Sequence, residues 1–446
     1  MSEWLDAEAR VERAHELYDS GRWAEAAAEL QAAIEADSSV ASWHFNLALT
    51  LEAMEEYGQA CEAYQTAVKL APDDLEALNC LGVNLTRLGR YAESLAAFER
   101  LAKLDPAYEP SYCNRIVTYA EMGQHDEAEV MFYLAQQVRE DCPLCFFNIA
   151  TSLSARGRHE EAIRCWRRAL ELDPAQPQAH LRIAEAYWAM GRREQAVEHF
   201  RCELAAGRSD PDVLVDFAEL LLEMERLEEA ELRLREALTL NADHAAAHLV
   251  LGDLALQRER PATAEEHYRR VLRIDGDFPG IHARIAQALI RQRKCQKAAR
   301  HLLAEMRRCG DDPVMLQELG QLLLEAHLVR QANSVLSRLV ALQPEDAFAQ
   351  HNLAVSYFRM DRIEDGIRHC RRALKLRPEY ALALYNLALA HLRKGEVSRA
   401  RRYAARALTI APDDRHVQDL SRRLGAPGLW DKLRDKLARR RGDAAD

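Results

Sequence analysis

An internal period of 34 residues constrains this chain more than any other feature of its sequence. Four segments superimpose on one another, and each carries a glycine at the same place, at Gly21, Gly89, Gly157 and Gly395, separated by multiples of 34 residues. Residues 7–414 hold twelve such repeats with no insertion or deletion between them. A fixed period of this length is typical of repeat proteins, in which each repeat packs only against its neighbours along one axis.

Residue size follows a fixed pattern within a repeat, whose positions we number as columns 1 to 34. Column 8 is usually Ala or Gly, column 20 is nearly always Ala, and column 24 often carries a large side chain. Small residues at columns 8 and 20 allow two helices, A and B, to approach closely, so each repeat is predicted to be a helix–turn–helix unit. A proline at column 32 ends helix B; it recurs as Pro72, Pro106, Pro174, Pro344, Pro378 and Pro412.

This pattern resembles the tetratricopeptide repeat. The resemblance implies an all-α fold, a right-handed superhelical α-solenoid. We expect an N-terminal extension of the first helix (residues 1–6), twelve repeats (7–414), a C-terminal capping helix (415–425) and a tail (426–446). Two departures from the pattern, Ile116 at column 8 and Gly366 at column 20, predict repeats that are locally looser.

The tail, residues 426–446, is predicted to form a basic amphipathic helix. Leu429, Trp430, Leu433 and Leu437 make a short apolar stripe among lysines and arginines. Such a helix suits an anionic membrane surface or partner, and contact with a membrane is expected only through this segment. The interpretation that we favour is an extra helix that folds back on the repeats or frays.

Length and motif content favour a non-catalytic protein. The repeats leave 38 of the 446 residues, too few for a catalytic domain. The chain has no glycine-rich phosphate loop and no zinc-protease or serine-hydrolase motif. We therefore expect no enzyme activity, no cofactor and no small-molecule substrate. The acidic start lacks the regions of a signal peptide, and no apolar run approaches the ~20 residues that span a bilayer, so a cytoplasmic location is expected.

Cysteine and histidine residues are the candidate metal ligands of this chain. Ten cysteines scattered over the chain are typical of a reducing compartment, so no disulfide is expected. Cys145 lies three residues after Cys142 and occupies column 3, which elsewhere holds small apolar residues, so we interpret it as a packing residue. The alternative is a reactive thiol at Cys142, near the start of a helix. His44, His180, His248 and His282 share column 4, but equivalent helices lie at least ~8–10 Å apart. No metal site is expected.

Asparagine is concentrated at one column. The chain has nine asparagines, and five of them occupy column 6: Asn46, Asn114, Asn148, Asn352 and Asn386, which we call the asparagine ladder. Asparagine costs several tenths of a kcal/mol relative to alanine inside a helix, so helix formation does not explain the repetition. The alternative is duplication of repeats without any binding role. Repeats 6 to 10 carry other residues at column 6, which predicts a charged middle between two amide-lined ends.

The ladder is similar to one in the repeat domain of the O-linked N-acetylglucosamine transferases, where such side chains hold a peptide backbone. The resemblance implies that column 6 lines the inner face of the superhelix. An amide offers two donor hydrogens and an acceptor oxygen, so it can pair with a backbone N–H and C=O together. Aromatic residues at columns 5 and 12 complete the predicted peptide-binding set; they are Phe45, Phe147, Trp188, Phe358 and Tyr385.

We therefore predict an interaction scaffold that binds an extended peptide or partner segment in a concave groove. The alternative is an assembly subunit that self-associates or docks in a multiprotein complex, because residues 1–140 carry a net charge of −16 and residues 361–446 one of +9. A third possibility, RNA binding through the basic end, is disfavoured by the overall net charge of −11.

Overall fold

The computed structural model describes residues 2–207 and 210–425, which form 25 α-helices and no strand. The all-α prediction is therefore confirmed. The first helix of each pair, helix A, is α1 (Ser2–Asp19), α3 (Ala41–Ala53), α5 (Leu75–Arg87), α7 (Glu109–Glu121), α9 (Pro143–Ala155), α11 (Ala179–Ala189), α13 (Pro211–Glu223), α15 (Ala245–Gln257), α17 (Ile281–Arg291), α19 (Pro313–Glu325), α21 (Ala347–Arg359) and α23 (Ala381–Arg393). Helix B is α2 (Trp23–Ala36), α4 (Tyr57–Leu70), α6 (Tyr91–Leu104), α8 (His125–Val138), α10 (His159–Leu172), α12 (Arg193–Ala205), α14 (Leu227–Leu240), α16 (Pro261–Ile274), α18 (Cys295–Arg308), α20 (Val329–Leu342), α22 (Ile363–Leu376) and α24 (Val397–Ile410).

Helix B begins at the same column in every repeat, in steps of 34 residues from Trp23 to Val397. The turn before it contains a left-handed residue at column 15, with φ between 56° and 75°. Six of these twelve residues are glycine, which adopts this conformation without a steric penalty, whereas others, such as Glu259, carry a Cβ. The shared turn gives helix B the same start in every repeat.

Helix A begins less regularly than helix B, at column 1 in nine repeats and at column 3 in two. Six helices A are capped by the last residue of the preceding repeat, at column 34, whose side chain accepts a hydrogen bond from a backbone N–H in the first turn of the helix. These residues are Asp74, Cys142, Asp210, His244, Asp312 and Asp346. Helices α11 and α17 begin two residues later, after Gln178 and Gly280, whose φ angles are 61° and 73°. No side chain caps either start.

Packing contacts group the chain into two bodies, Met1–Arg226 (the N-terminal body) and Leu227–Asp446 (the C-terminal body). Within each body, helix A packs against helix B of its own repeat, and helix B packs against helix A of the next. Consecutive helices A also touch, as α7 and α9 do in the N-terminal body and α21 and α23 do in the C-terminal body. Helices A therefore form a row in each body.

The core consists of the residues that the repeat pattern marks as small or large. Column 8 and column 20 alanines are fully buried, and the column 24 side chains of Tyr64, Phe98 and Trp166 are at most 1 % exposed. The repeats that were predicted to be looser are filled. Ile116 is completely buried, and the ring of Phe358 occupies the space that a Cβ at Gly366 would need.

The C-terminal end of the described residues is helix α25 (Arg415–Gly425), which packs against α24. Its Val417, Leu420 and Leu424 side chains are buried. The predicted basic tail, residues 426–446, lies outside the described residues. Among the residues that are described, no helix is both long and apolar enough to cross a membrane.

Candidate ligand-binding surface

All ten residues predicted to bind a peptide lie on helices A and are half-buried. Asn114, Phe147 and Asn148 lie on α7 and α9, which contact each other, so these three share one local surface. The remaining seven are distributed over other helices. The N-terminal body contains Phe45, Asn46, Asn114, Phe147, Asn148 and Trp188, and the C-terminal body contains Asn352, Phe358, Tyr385 and Asn386.

The ladder amides of α7 and α9 connect neighbouring helices A. Asn114 Nδ2 donates to Asn79 Oδ1 at 2.8 Å, and Asn148 Nδ2 donates to the carbonyl oxygen of Cys113 at 3.2 Å. In both cases the acceptor belongs to helix A of the preceding repeat. These hydrogen bonds give the asparagines a structural role that the sequence analysis did not include.

The outer members of the ladder make equivalent contacts to histidine. Asn46 Nδ2 lies 3.0 Å from His15 Nε2, and Asn386 Nδ2 lies 2.9 Å from His351 Nε2. Each histidine again lies on helix A of the preceding repeat. The contact therefore recurs in both bodies, although the partner residue differs, and this structural role is compatible with duplication of repeats without any binding role.

The inter-helix contacts leave part of each amide available. Within the described residues, one hydrogen bond is made by each of these four Nδ2 groups and none is accepted by the Oδ1 atoms. An amide has two N–H donors and a carbonyl oxygen, so one donor and the acceptor remain. The bridge also restricts rotation of the side chain, which lowers the entropy cost of a further contact.

Three of the five predicted aromatic anchors take part in packing. Phe45 forms an edge-to-face contact with Tyr64, with ring centroids 5.7 Å apart. Phe358 packs over Gly366, and Tyr385 packs against the buried alanines of α23 and α24. These rings contribute to the core with one face, so only the remaining surface is available to a ligand.

The other two aromatic anchors lie in the N-terminal body. Trp188 Nε1 donates to Glu223 Oε2 at 3.1 Å, which fixes the indole ring on α11 against α13. Phe147 is half-buried beside Asn148 on α9. Of the five predicted aromatic residues, Phe147 is the one that lies on α7 or α9.

Two of the four charged residues at column 6 of the middle repeats form ion pairs. Arg182 Nη1 lies 3.0 Å from Glu185 Oε2, and Arg284 forms an ion pair with Asp253. Burial, aided by the nearby Glu185 carboxylate, raises the pKa of Asp216 to about 6. At column 6 of repeat 7, this carboxylate replaces a ladder asparagine.

Histidine pairs occur within single repeats. The column 4 histidines were predicted to be half-buried packing residues, and three of them meet a second histidine at column 23 on helix B. The Nδ1–Nδ1 distances are 3.1 Å for His180 and His199, 3.0 Å for His248 and His267, and 2.9 Å for His282 and His301. A comparison of column 4 between repeats does not reveal these pairs, because both histidines of a pair lie in one repeat.

The prediction that the chain has no disulfide is wrong for one pair. Cys113 and Cys145 form a disulfide bond between α7 and α9, with their Cα atoms 5.1 Å apart. Stacking of helices A brings column 5 of one repeat against column 3 of the next, which the spacing in the sequence does not show. Cys145 is buried as expected. Burial raises the pKa of the Cys142 thiol to about 11, which disfavours the thiolate and the reactivity considered for it.

Comparison with protein-family models shows which family the chain belongs to. The model described as "Tetratricopeptide repeat" matches residues 11–60, 47–109, 215–277 and 351–415, just over half of the chain. Further models of this repeat match residues 152–191 and 179–214. The chain therefore belongs to the tetratricopeptide repeat family, and the predicted resemblance is confirmed. Repeats of this family support a protein-interaction or assembly role. No curated protein sequence matches the chain.

Several solved structures are similar to the fold. A tetratricopeptide repeat protein from Parabacteroides merdae is 18% identical, covers 53% of this chain and 94% of its own, and has a TM-score of 0.45. The Cut9–Hcn1 hetero-tetramer of the APC/C is 14% identical, with 92% and 95% covered and a TM-score of 0.43. Yeast Tom70 is 13% identical, with 96% and 99% covered and a TM-score of 0.39. The TM-scores are all below 0.5, so we infer nothing about function from these structures.

Proposed function

We propose that this protein is a non-catalytic scaffold that binds an extended segment of a partner protein on the row of helices A. The local surface of α7 and α9 is the proposed centre of binding in the N-terminal body. The observation that carries the proposal is the bridged state of Asn114 and Asn148, which keep one N–H and one carbonyl oxygen free. Two such amides on adjacent helices can pair with the backbone of one extended chain.

The chemistry of this surface favours a peptide backbone over a specific side chain. Amides recognise the N–H and C=O groups that every residue carries, so the sequence of the partner matters little at these two positions. Phe147, beside Asn148, adds an apolar face that can pack against a partner side chain. The same argument applies separately to Asn386 in the C-terminal body, whose Nδ2 atom contacts His351.

Selection of peptides by the full chain tests the proposal. The probe is a phage-displayed library of random linear peptides, and the affinity of selected peptides is measured by fluorescence anisotropy. Combined Asn114→Ala and Asn148→Ala replacement removes up to four backbone hydrogen bonds. At ~0.5–1.5 kcal/mol for each bond, we expect a loss of at least about tenfold in affinity.

Two control variants separate binding from structure. Asn79→Ala removes the acceptor of the Asn114 bridge and leaves both ladder amides in place, so it should retain most of the affinity. Gln137→Ala changes an exposed residue of helix α8 and should have no effect. Wild-type affinity in the Asn114 and Asn148 double variant would refute the proposal, and an equal loss in Asn79→Ala would assign the effect to structure.

A second candidate function, head-to-tail self-association, is supported by exposed charges. Arg371, Arg372, Arg402 and Arg406 on α22 and α24 are exposed and form no ion pair with another described residue. An acidic N-terminal body of a second molecule is a complementary surface for them. Contact of this kind is heterologous and can produce rings or filaments.

Light scattering at two salt concentrations tests the second candidate. If the contact is electrostatic, the mass should rise with protein concentration at low salt and return to that of a monomer at ~1 M salt, where the screening length is ~3 Å. Arg371→Glu combined with Arg372→Glu should abolish the increase. A monomer mass at both salt concentrations would dismiss self-association and leave peptide binding unaffected.

A further inference from the structure

Four side chains that can bind a metal ion converge between repeats 4 and 5 of the N-terminal body. They are Glu109, Cys113, Cys142 and Cys145, whose ligand atoms all lie within 4.8 Å of one another. The three cysteines are at most 3 % exposed, and the Glu109 side chain is 18% exposed. The repeat pattern does not require this convergence, because columns 1 and 34, which hold Glu109 and Cys142, vary from repeat to repeat.

Two of the distances between the four ligand atoms match those of a tetrahedral zinc site. Zinc binds sulfur at ~2.3 Å and a carboxylate oxygen at ~2.0–2.2 Å, which puts its ligand atoms ~3.5–3.8 Å apart. Cys113 Sγ lies 3.6 Å from Cys142 Sγ, and Cys145 Sγ lies 3.7 Å from Glu109 Oε1. Glu109 Oε1 is closer to the other two sulfurs, at 3.1 Å from Cys113 and 2.5 Å from Cys142. Cys113 and Cys145, joined in the disulfide, must separate.

The surrounding groups suit an anionic cluster. Cys142 is the N-cap of α9, and the N–H of Cys145 donates to its Sγ atom at 3.2 Å. This donor and the positive end of the helix dipole offset part of the burial and of the Glu109 charge that disfavour the Cys142 thiolate when no metal is bound. Arg139 Nη1 lies 3.4 Å from Glu109 Oε2, which leaves Oε1 directed at the sulfurs. Three thiolates and a carboxylate around Zn²⁺ carry a net charge of −2, which Arg139 partly offsets.

We propose that, when the Cys113–Cys145 disulfide is reduced, these four side chains bind a zinc ion in a Cys₃Glu site that joins α7 to α9. All four positions are filled by the protein, which is typical of a structural zinc site. The disulfide and the zinc ion are then alternative links between the same two helices. The reduced, metal-bound state suits the reducing compartment that the cysteine content indicates.

The conversion balances as two separate steps. A dithiol reductant transfers two electrons and two protons to the Cys113–Cys145 bond, which yields two thiols in the protein and a disulfide in the reductant. Zn²⁺ then displaces one proton from each of the three thiols and forms three Zn–S bonds and one Zn–O bond. Three protons are released for each ion bound.

Cobalt substitution in the full chain tests the proposal. The protein is reduced with dithiothreitol, freed of reductant without oxygen and titrated with Co²⁺, and alkylation with mass spectrometry confirms that Cys113 and Cys145 are thiols. We expect one Co²⁺ per chain, with thiolate charge-transfer bands and the intense visible bands of tetrahedral cobalt. Zn²⁺ should displace the cobalt, and elemental analysis should find one zinc per chain.

Four variants assign the ligands. Cys142→Ser should abolish the tetrahedral spectrum, and Glu109→Gln should change it and weaken binding at least tenfold. Arg139→Ala, a change beside the ligand set, should weaken binding by ~10–100-fold. Cys61→Ala removes a buried cysteine of α4 that lies outside the cluster and should bind Co²⁺ as the wild type does. Circular dichroism checks that each variant is helical.

Three results would overturn the proposal. The first is a reduced full chain that binds no Co²⁺ in tetrahedral geometry. The second is wild-type cobalt binding by both Cys142→Ser and Glu109→Gln. The third is a disulfide that persists in dithiothreitol while the helices remain folded, since the ligands would then never be free.

Discussion

Replacing Gly82 by alanine tests whether helix packing or helix propensity dominates at column 8. Gly82 lies on α5 opposite Phe98 of α6. A Cβ at Gly82 would lie 2.6 Å from two carbons of the Phe98 ring and 3.0 Å from a third. Carbon atoms in contact lie ~3.5–4.0 Å apart, so the ring or the helix must move by about 1 Å. Phe98 is completely buried, so a shift of its ring must displace other core atoms.

The two effects of this substitution oppose each other. Alanine favours the helix over glycine by ~1 kcal/mol, whereas overpacking a core of this kind costs ~1–3 kcal/mol. Because two ring atoms are approached at once, we expect the cost to lie in the upper half of that range. Gly82→Ala should therefore destabilise the N-terminal body by about 1–2 kcal/mol.

The repeat pattern alone predicts the opposite result. Alanine lies at column 8 opposite an aromatic residue in other repeats, as Ala48 does opposite Tyr64 and Ala150 opposite Trp166. A substitution toward the commoner residue is expected to be neutral or stabilising. The outcome therefore distinguishes the local distance between α5 and α6 from the average over repeats.

Urea unfolding followed by circular dichroism measures the change in stability. Hydrogen exchange of α5 and α6 is needed beside it, because a repeat array does not always unfold in one step. Gly58→Ala on α4, where nothing lies within 4 Å of the new Cβ, is the matched control and should be neutral or slightly stabilising. Adding Phe98→Leu to Gly82→Ala should recover part of the loss. Wild-type or higher stability of Gly82→Ala would refute this reasoning.

Three further predictions concern buried polar groups. Glu52 Oε2 accepts hydrogen bonds from Tyr64 at 3.0 Å and from Asn84 at 2.9 Å. Glu52→Ala leaves both donors buried without an acceptor and should lower the free energy of unfolding in urea by ~2–4 kcal/mol; adding Tyr64→Phe should recover part of that loss. Burial lowers the pKa of His199 to about 4, so stability should fall as the pH drops from ~6.5 to ~4, where only the unfolded chain binds the proton. In His199→Gln the melting temperature should change less with pH over this range. Burial raises the pKa of Asp216 to about 6, so Asp216→Asn should raise the melting temperature at pH 8 and have no effect below pH ~4, where the carboxyl is protonated in both states.

The expected pH effects have opposite signs for a physical reason. Burial disfavours the charged form of each group, which is the protonated form of an imidazole and the deprotonated form of a carboxyl. Acid therefore destabilises the repeats that contain the buried histidine and relieves the cost of the buried aspartate. Melting curves of both variants that run parallel to the wild type across this range would contradict the burial argument.

The predicted binding residues illustrate the limit of a pattern that is averaged over repeats. Column 6 was predicted to offer an amide, and the structure has those amides half-buried on helices A. The pattern contains no information on which residue of the preceding helix A faces each asparagine. It therefore did not predict the hydrogen bonds from Asn114 to Asn79 and from Asn148 to Cys113. The acceptor lies 35 residues earlier, one period plus one residue, which is a spacing that a search between columns can find.

The cysteine cluster was missed for a related reason. The sequence analysis compared Cys142 and Cys145 with their own columns and left out Cys113, which lies 32 residues before Cys145. At this spacing, which is two residues less than one period, column 5 of α7 meets column 3 of α9. A search for cysteine and carboxylate residues at spacings near 34 would have included Glu109 as well.

The sequence by itself determined the periodic part of this protein. The 34-residue period, the column 8 and column 20 alanines and the left-handed turn at column 15 are local or nearest-neighbour features, so they determine helix pairs and the common start of helix B. Tertiary structure alone decided what differs between repeats: the ring of Phe358 over Gly366, the short distance between Gly82 and Phe98, and the meeting of Glu109 with three cysteines. These depend on sub-ångström shifts and side-chain rotamers at each helix contact, which close packing makes specific to every repeat and which no average over columns contains.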